Sequence, residues 1–279
     1  MKKMTKEELK TIIEPELCKE FTTGFLELDY FLSNIKGGDI ITIGARPAMG
    51  KTSFAISILN HLLDKNKTVA YFSFEMTKEL LAKRILASKA QVQTFLPKEK
   101  QNEIYFKKLK DVLTWFANKN CYINDKLLLS VEEIEEEIVQ LKPDIVFIDY
   151  IQLVKMPKAP NMTEAINYAI QEIKRIAKEN NTVVILLSQV SRAVETRCDK
   201  RPMLSDLRNS STLEELSDIV LFIYRDEYYN AIIENDLEKN LAQIIVGKNK
   251  LGTTGTVYLK FVDGYFKNCM KDDNVLKVF

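Results

Sequence analysis

Six short apolar runs, interleaved with helical patterns, limit this chain more than any other feature. They are IITIG (40–44), VAYFSF (69–74), IVFID (145–149), VVILLS (183–188), IVLFIY (219–224) and AQIIVG (242–247). Nearly every position in them is apolar, as expected for strands covered on both faces of a parallel sheet. Between them the pattern predicts helices over 52–66, 77–90 and 163–179. The last places Ile166, Ile170, Ile173 and Ala177 on one face. Alternating strand and helix builds right-handed β-α-β units, hence a doubly wound α/β fold with a mostly parallel sheet. The end differs. TVYLKF, then Val262-Asp263-Gly264, then YFKNC, reads as an antiparallel hairpin around a tight Asp-Gly turn. A chain of 279 residues, 46% hydrophobic and 28% charged, fits one large α/β domain or two small ones and has material for a sizeable core.

Net charge is +1, so any nucleic-acid contact must come from a local basic patch. No run approaches the ~20 apolar residues that span a bilayer, and MKKMTKEELK has no apolar signal-peptide core. Cys18, Cys121, Cys198 and Cys269 are widely spaced with no C-x-x-C pair. They read as reduced thiols, and with them the expected location is cytoplasmic, with no membrane partner.

The first run leads into IGARPAMGKTSF (43–54). A phosphate-binding P-loop reads G-x-x-x-x-G-K-[ST], which would put a glycine at position 45. Ala45 stands there, and the glycine is one place earlier, at Gly44. The context is otherwise right: an apolar strand before, a helix after. Phosphates need inward backbone N–H groups and the positive end of a helix dipole. The segment Ala45, Arg46, Pro47, Ala48, Met49, Gly50, Lys51, Thr52, Ser53 is therefore the candidate nucleotide-binding loop. Gly50 permits close backbone approach, Lys51 reaches the β- and γ-phosphates, and Thr52 offers a hydroxyl to Mg²⁺. Ala45 requires only a negative φ, which Pro47 helps by stiffening the loop. The bland alternative is a strand-to-helix turn with an incidental lysine.

Three further residues stand at strand ends, where an open sheet keeps its ligand crevice. Asp149 closes IVFID, the place of a magnesium-associated carboxylate, or else caps the next element. Glu75 in FSFEM either polarises the attacking water or is a helix-start acid without chemistry. Gln189 in LLSQVSR either senses a γ-phosphate or is a surface amide in a turn.

Taken together, ARPAMGKT, FSFEM, IDYIQL, LLSQVSRAVETRCDKRPMLSDLR, SDIVLFIYRDEYY and GTTGTVYLKF resemble the C-terminal motor domain of the DnaB-type replicative DNA helicases. The resemblance runs from about Thr22 to about Lys267. It implies a RecA-like P-loop NTPase fold, ATP and Mg²⁺ as cofactors, and hydrolysis between subunits of a six-membered ring around single-stranded DNA. The family's loop reads A-R-P-x-M-G-K-T, so Ala45 matches it. Lys51 and Thr52 then correspond to the phosphate and magnesium contacts, Glu75 to the catalytic glutamate, Asp149 to the magnesium-associated aspartate and Gln189 to the γ-phosphate sensor. The DNA-cradling loop corresponds to Arg208, Asn209, Ser210 and Ser211, where the family's acid and glycine are absent. Lys248 matches the first residue that reaches a neighbour's γ-phosphate, and Lys250 holds the place of the arginine finger. Lysine keeps the charge there and loses the planar fork of donors.

The expected organisation is an arm over 1–20, helical with Leu9, Ile12 and Ile13 on its apolar side, a motor over 21–270 and a tail over 271–279. The family's helical N-terminal domain, which meets primase, has no counterpart in the arm, so no primase contact is expected from this chain. Two other classes remain at this stage: a RecA-like recombinase or clock-type ATPase, and an ATP-binding oligomeric module without turnover. Lone His61 reads as surface or satisfied core, and Trp115 with Phe116 as core. VEEIEEEIVQLK (131–142) reads as an amphipathic helix with an acidic solvated face. Arg192, Arg197, Lys200 and Arg201 are either a DNA-facing strip or a soluble loop.

Overall fold

A computed structural model of the protein describes residues 21–269, apart from 33, 156–159, 208–210 and 230–239. The expected arm and tail lie outside the described residues. The strands are β1 (Ile40–Ala45), β2 (Val69–Ser73), β3 (Cys121–Asn124), β4 (Ile145–Asp149), β5 (Val183–Gln189), β6 (Ile219–Tyr224), β7 (Leu241–Asn249), β8 (Gly255–Val262) and β9 (Tyr265–Asn268). They form one sheet in the order β3-β2-β4-β5-β1-β6-β7-β8-β9. The strands from β3 to β6 in that order pair in parallel, and β7, β8 and β9 are antiparallel.

This bears out the doubly wound core and the closing hairpin. It corrects one assignment. AQIIVG belongs to β7, which runs antiparallel to β6. Its apolar run misleads because β7 still has buried positions on both faces. β3 escaped notice for the opposite reason. It is a four-residue edge strand, partly exposed, with no apolar run.

The helices are α1 (Leu26–Phe31), α2 (Lys51–Asp64), α3 (Lys78–Ala90), α4 (Glu103–Ala117), α5 (Val131–Leu141), α6 (Met162–Glu179) and α7 (Ser211–Leu216). Their starts follow local chemistry. Thr77, Asn102 and Asn161 each accept a backbone N–H as N-caps, and Ser130 forms a capping box with Glu133. Two apolar clusters cover the two faces of the sheet. One joins α1, α2 and α3, and the other joins α5 and α6. The acidic helix lies as expected, burying Val131, Ile134 and Ile138. His61 is a satisfied residue, with Nε2 2.8 Å from Thr22 Oγ1. Trp115 packs against the first cluster and donates its indole N–H to Asp64. Among the described residues Cys121, Cys198 and Cys269 form no disulfide, and no helix is long and apolar enough to cross a membrane.

Gly44 has a packing role in β1. A Cβ there would lie 2.8 Å from the Phe222 ring and 3.3 Å from Leu207. Phe222 lies in β6, beside β1. The glycine that looked like a displaced P-loop glycine is a strand residue that admits an aromatic ring.

Candidate nucleotide site

β1 ends at Ala45 and the chain turns through residues 46–49 into α2. Ala45 is not among the residues with positive φ, as the sequence required, but Ala48 adopts the left-handed conformation at φ +65°. Gly50 follows at φ +96° and precedes α2 without any side-chain cap. Helix N-terminal N–H groups with no side-chain partner, at the positive end of a 14-residue helix, make an anion site. Gly50 is needed twice over. Its φ favours glycine, and a Cβ would come within 3.0–3.2 Å of Phe266 and Phe261 in the C-terminal hairpin. That hairpin docks on α2, with Phe54 and Phe266 rings 5.3 Å apart and the Phe266 N–H donated to Ser57 Oγ.

The side chains converge on Asp149, which is 1% exposed at the end of β4. Thr52 donates its hydroxyl to Asp149 Oδ2 at 2.8 Å, and Tyr71 donates to the same oxygen at 2.9 Å. Lys51 Nζ lies 3.5 Å from Oδ1 and 4.4 Å from the centroid of the Tyr150 ring. Burial lowers the Lys51 pKa, while Asp149 and Glu75 pull it back up. Burial and the adjacent carboxylate raise the Tyr71 phenol well above its ordinary value, so it stays a donor. Oδ1 is buried without a hydrogen-bond donor of its own. A carboxylate oxygen that faces only the Lys51 ammonium, on a group already beside a threonine hydroxyl, suits Mg²⁺, which takes one or two protein oxygens and completes its shell with phosphates and water. No cluster of three or more His, Cys, Asp or Glu exists among the described residues, so a dedicated metal cage is not how an ion would be held there.

Glu75 is exposed and lines the same cavity of about 600 Å³ as Lys51, Thr52 and Gln189. Its position follows from its neighbours. The Phe74 N–H is donated to the Asp149 carbonyl, and Ser73 Oγ donates to the Met76 carbonyl, which turns Glu75 out from the buried Phe74. Gln189 is the last residue of β5, in register with Ala45.

Arg46 differs from the rest of the loop. Its guanidinium is committed to protein, with Nε donating to Glu195 at 2.9 Å and Nη1 to the Val190 carbonyl at 2.9 Å.

Lys248 and Lys250 are not in this cavity. Lys248 pairs with Val220, near the start of β6, whereas the loop follows the end of β1. Val220 is level with Thr42, three residues before Ala45, so at a rise of ~3.3 Å per strand residue Lys248 lies about 10 Å back along the sheet from the end of β1. Lys248 Nζ donates to the carbonyls of Glu214 and Glu215 at the end of α7. Lys250 Nζ lies 3.5 Å from Asp218 Oδ1. Arg208, Asn209 and Ser210 lie outside the described residues, and Ser211 opens α7. Three of the four basic residues after β5 are engaged within the fold: Arg197 pairs with Asp206, Arg201 donates to Gln243, and the Lys200 ammonium lies 4.7 Å from the centroid of the Tyr229 ring.

The hairpin residues Phe261, Asp263 and Gly264 form one wall of the cavity that was not assigned from sequence, and Arg225 braces that wall from outside the lining. Arg225 stacks over Phe261, 4.1 Å from its centroid, pairs with Glu227, and donates to the Ala48 carbonyl at 3.4 Å. The segment YRDEYY stands out in the sequence, but only the fold brings it beside the hairpin.

This geometry agrees with the comparisons. The model of the DnaB-like helicase C-terminal domain matches residues 21–268. The chain belongs to that family. A replicative DNA helicase DnaB of Geobacillus stearothermophilus is 38% identical over 253 residues, covering 88% of this chain and 55% of the relative. A probable replicative DNA helicase of Trieres chinensis is 36% identical over 269 residues, covering 93% of this chain and 59% of the relative. The chain thus spans somewhat more than half the length of these relatives. Among solved structures, a free-standing ATPase domain superposes with a TM-score of 0.88 at 35% identity, covering 97% of this chain and 100% of that one. A DnaB-like replicative helicase, studied with its interactions with primase, gives the same TM-score at 36% identity, covering 96% of this chain and 69% of that one. The DnaB-like C-terminal fold is therefore shared across the whole described motor.

Proposed function

We propose that this chain is an ATP-hydrolysing motor that translocates on single-stranded DNA and separates duplexes. The observation that carries the reading is the convergence of Lys51 and Thr52 on Asp149 at the mouth of an uncapped helix. Lys51 and the loop N–H groups hold the β- and γ-phosphates. Thr52 and Asp149 would hold Mg²⁺, which when bound would supply positive charge against the phosphates. Glu75, exposed in the cavity and held by the Phe74 and Ser73 contacts, orients and deprotonates the attacking water. Gln189 reads the γ-phosphate from the end of β5.

Self-association belongs to the same reading. Lys248 and Lys250 lie at the far end of the strands from their own loop, so any phosphate they meet is a neighbour's. A ring, of six subunits by family resemblance, satisfies that requirement, with DNA held by the segment 208–211. The names of the relatives favour replicative helicase activity over a recombinase or a silent ATP-binding module. Unwinding of a tailed duplex tests the proposal. Strand separation should require ATP and disappear in Lys51→Ala. ATP-dependent separation that survives this substitution would exclude the assigned site.

A further inference from the structure

Arg46 lies within the nucleotide loop, yet its side chain is turned to another part of the protein. It is 8% exposed, and its donors reach Glu195 in the turn Arg192–Thr196 and the carbonyl of Val190. Those partners begin a continuous set of polar contacts. The Val190 N–H is donated to the Ala45 carbonyl, and Val190 forms a bridge to Leu207. The Ser191 N–H is donated to the Asp206 carbonyl at 2.8 Å. Asp206 is 5% exposed and accepts two bonds from Arg197, at 2.7 and 3.2 Å, and one from the Met203 N–H at 2.8 Å. Arg197 stands next to the turn that carries Glu195. Apolar packing runs in parallel, because Leu207 approaches Gly44 beneath the loop.

We propose that Arg46 is a positioning residue: a strut that fixes the segment 190–207 against the nucleotide loop, so that nucleotide entry is felt at Leu207. The inference rests on the nucleotide reading of the cavity and adds a route out of it. The physical basis is directional. A guanidinium bonded through two edges resists rotation as well as separation, which a point charge does not. Buried on the Arg46 side, the pair is poorly screened, whereas Glu195 is partly exposed and free to be released. Phosphates drawing on the uncapped backbone N–H groups at the start of α2 pull on the loop that precedes it. Arg46 carries that pull to Glu195 and Val190, and the Asp206 contacts carry it to Leu207. The residues that follow Leu207 are those assigned to DNA by resemblance.

Hydrogen exchange tests this without DNA. In the parent, a non-hydrolysable ATP analogue should slow exchange in the peptide containing Leu207 by about fivefold or more, a typical coupling between sites. Glu195→Gln keeps the shape of the side chain and removes its charge. It should bind a fluorescent ATP analogue within about twofold of the parent, as expected for an outlying contact, yet lose the nucleotide-dependent protection. Glu195→Asp should recover part of it. Each variant is compared with itself with and without nucleotide, so a merely structural role would not change the difference. A parent that binds the analogue and shows no protection at Leu207 would overturn the inference, as would full protection in Glu195→Gln. Failure of the parent to bind the analogue would instead overturn the nucleotide reading, and this inference with it.

Discussion

Lys250 is held within its own chain by Asp218, with Nζ 3.5 Å from Oδ1. Asp218 also accepts the Ile40 N–H at 2.8 Å and the Lys174 ammonium at 2.5 Å, so it is a fixed anchor at the start of β6. Lys250 is the loose member of this group, with a side chain 44% exposed. To act on a neighbour's phosphate it must leave Asp218, and a contact held at that distance through an exposed lysine is weak.

Turnover should therefore depend on association and on the shape of the cation. We expect Lys250→Arg to raise the rate per site several-fold, because the planar fork donates two parallel bonds to transition-state oxygens. The gain should appear only at protein concentrations where subunits associate. Steady-state hydrolysis across a concentration series is the check. Equal rates for the parent, Lys250→Arg and Lys250→Ala at every concentration would leave Lys250 as a surface residue bound to Asp218.

Gly44→Ala should destabilise the fold by about 1–3 kcal/mol, the usual cost of overpacking a rigid core. The added methyl meets the Phe222 ring at 2.8 Å, and Phe222 is fully buried. Denaturant unfolding measures it, and Gly44→Ala with Phe222→Leu should recover part of the loss. An unchanged midpoint in the single variant would show that Gly44 is not there for packing.

How much of this was legible beforehand follows from the same residues. Gly44, Ala45 and the GKT triplet were readable as a loop because strand, loop and helix are contiguous. The reason for Gly44 was not, since Phe222 reaches β1 only through sheet order. Asp149, Glu75 and Gln189 were readable as strand-end residues, and the parallel register brings their strand ends to one edge. Arg225 and Glu195 were quoted only as parts of motifs, because their partners are distant in sequence. The antiparallel turn of β7 was hidden by its apolar run, and β3 by its lack of one.

Glu75→Gln should separate binding from chemistry. Glu75 makes no contact that holds Lys51, Thr52 or Asp149 to one another, so the nucleotide should still bind. Hydrolysis should fall by ~10²–10⁴ if the carboxylate is the general base. Fluorescence titration and single-turnover rates give the two quantities separately. Loss of binding would assign Glu75 to the framework of the site.

The central claim is that the cavity above Lys51 drives movement on DNA. Its most direct test is ATP hydrolysis measured with and without single-stranded DNA, in the parent and in Lys51→Ala. The account predicts turnover in the parent that rises several-fold when DNA is added, and a loss of orders of magnitude in the variant with its fold intact. Nucleotide binding without turnover, or a rate indifferent to DNA, would contradict it.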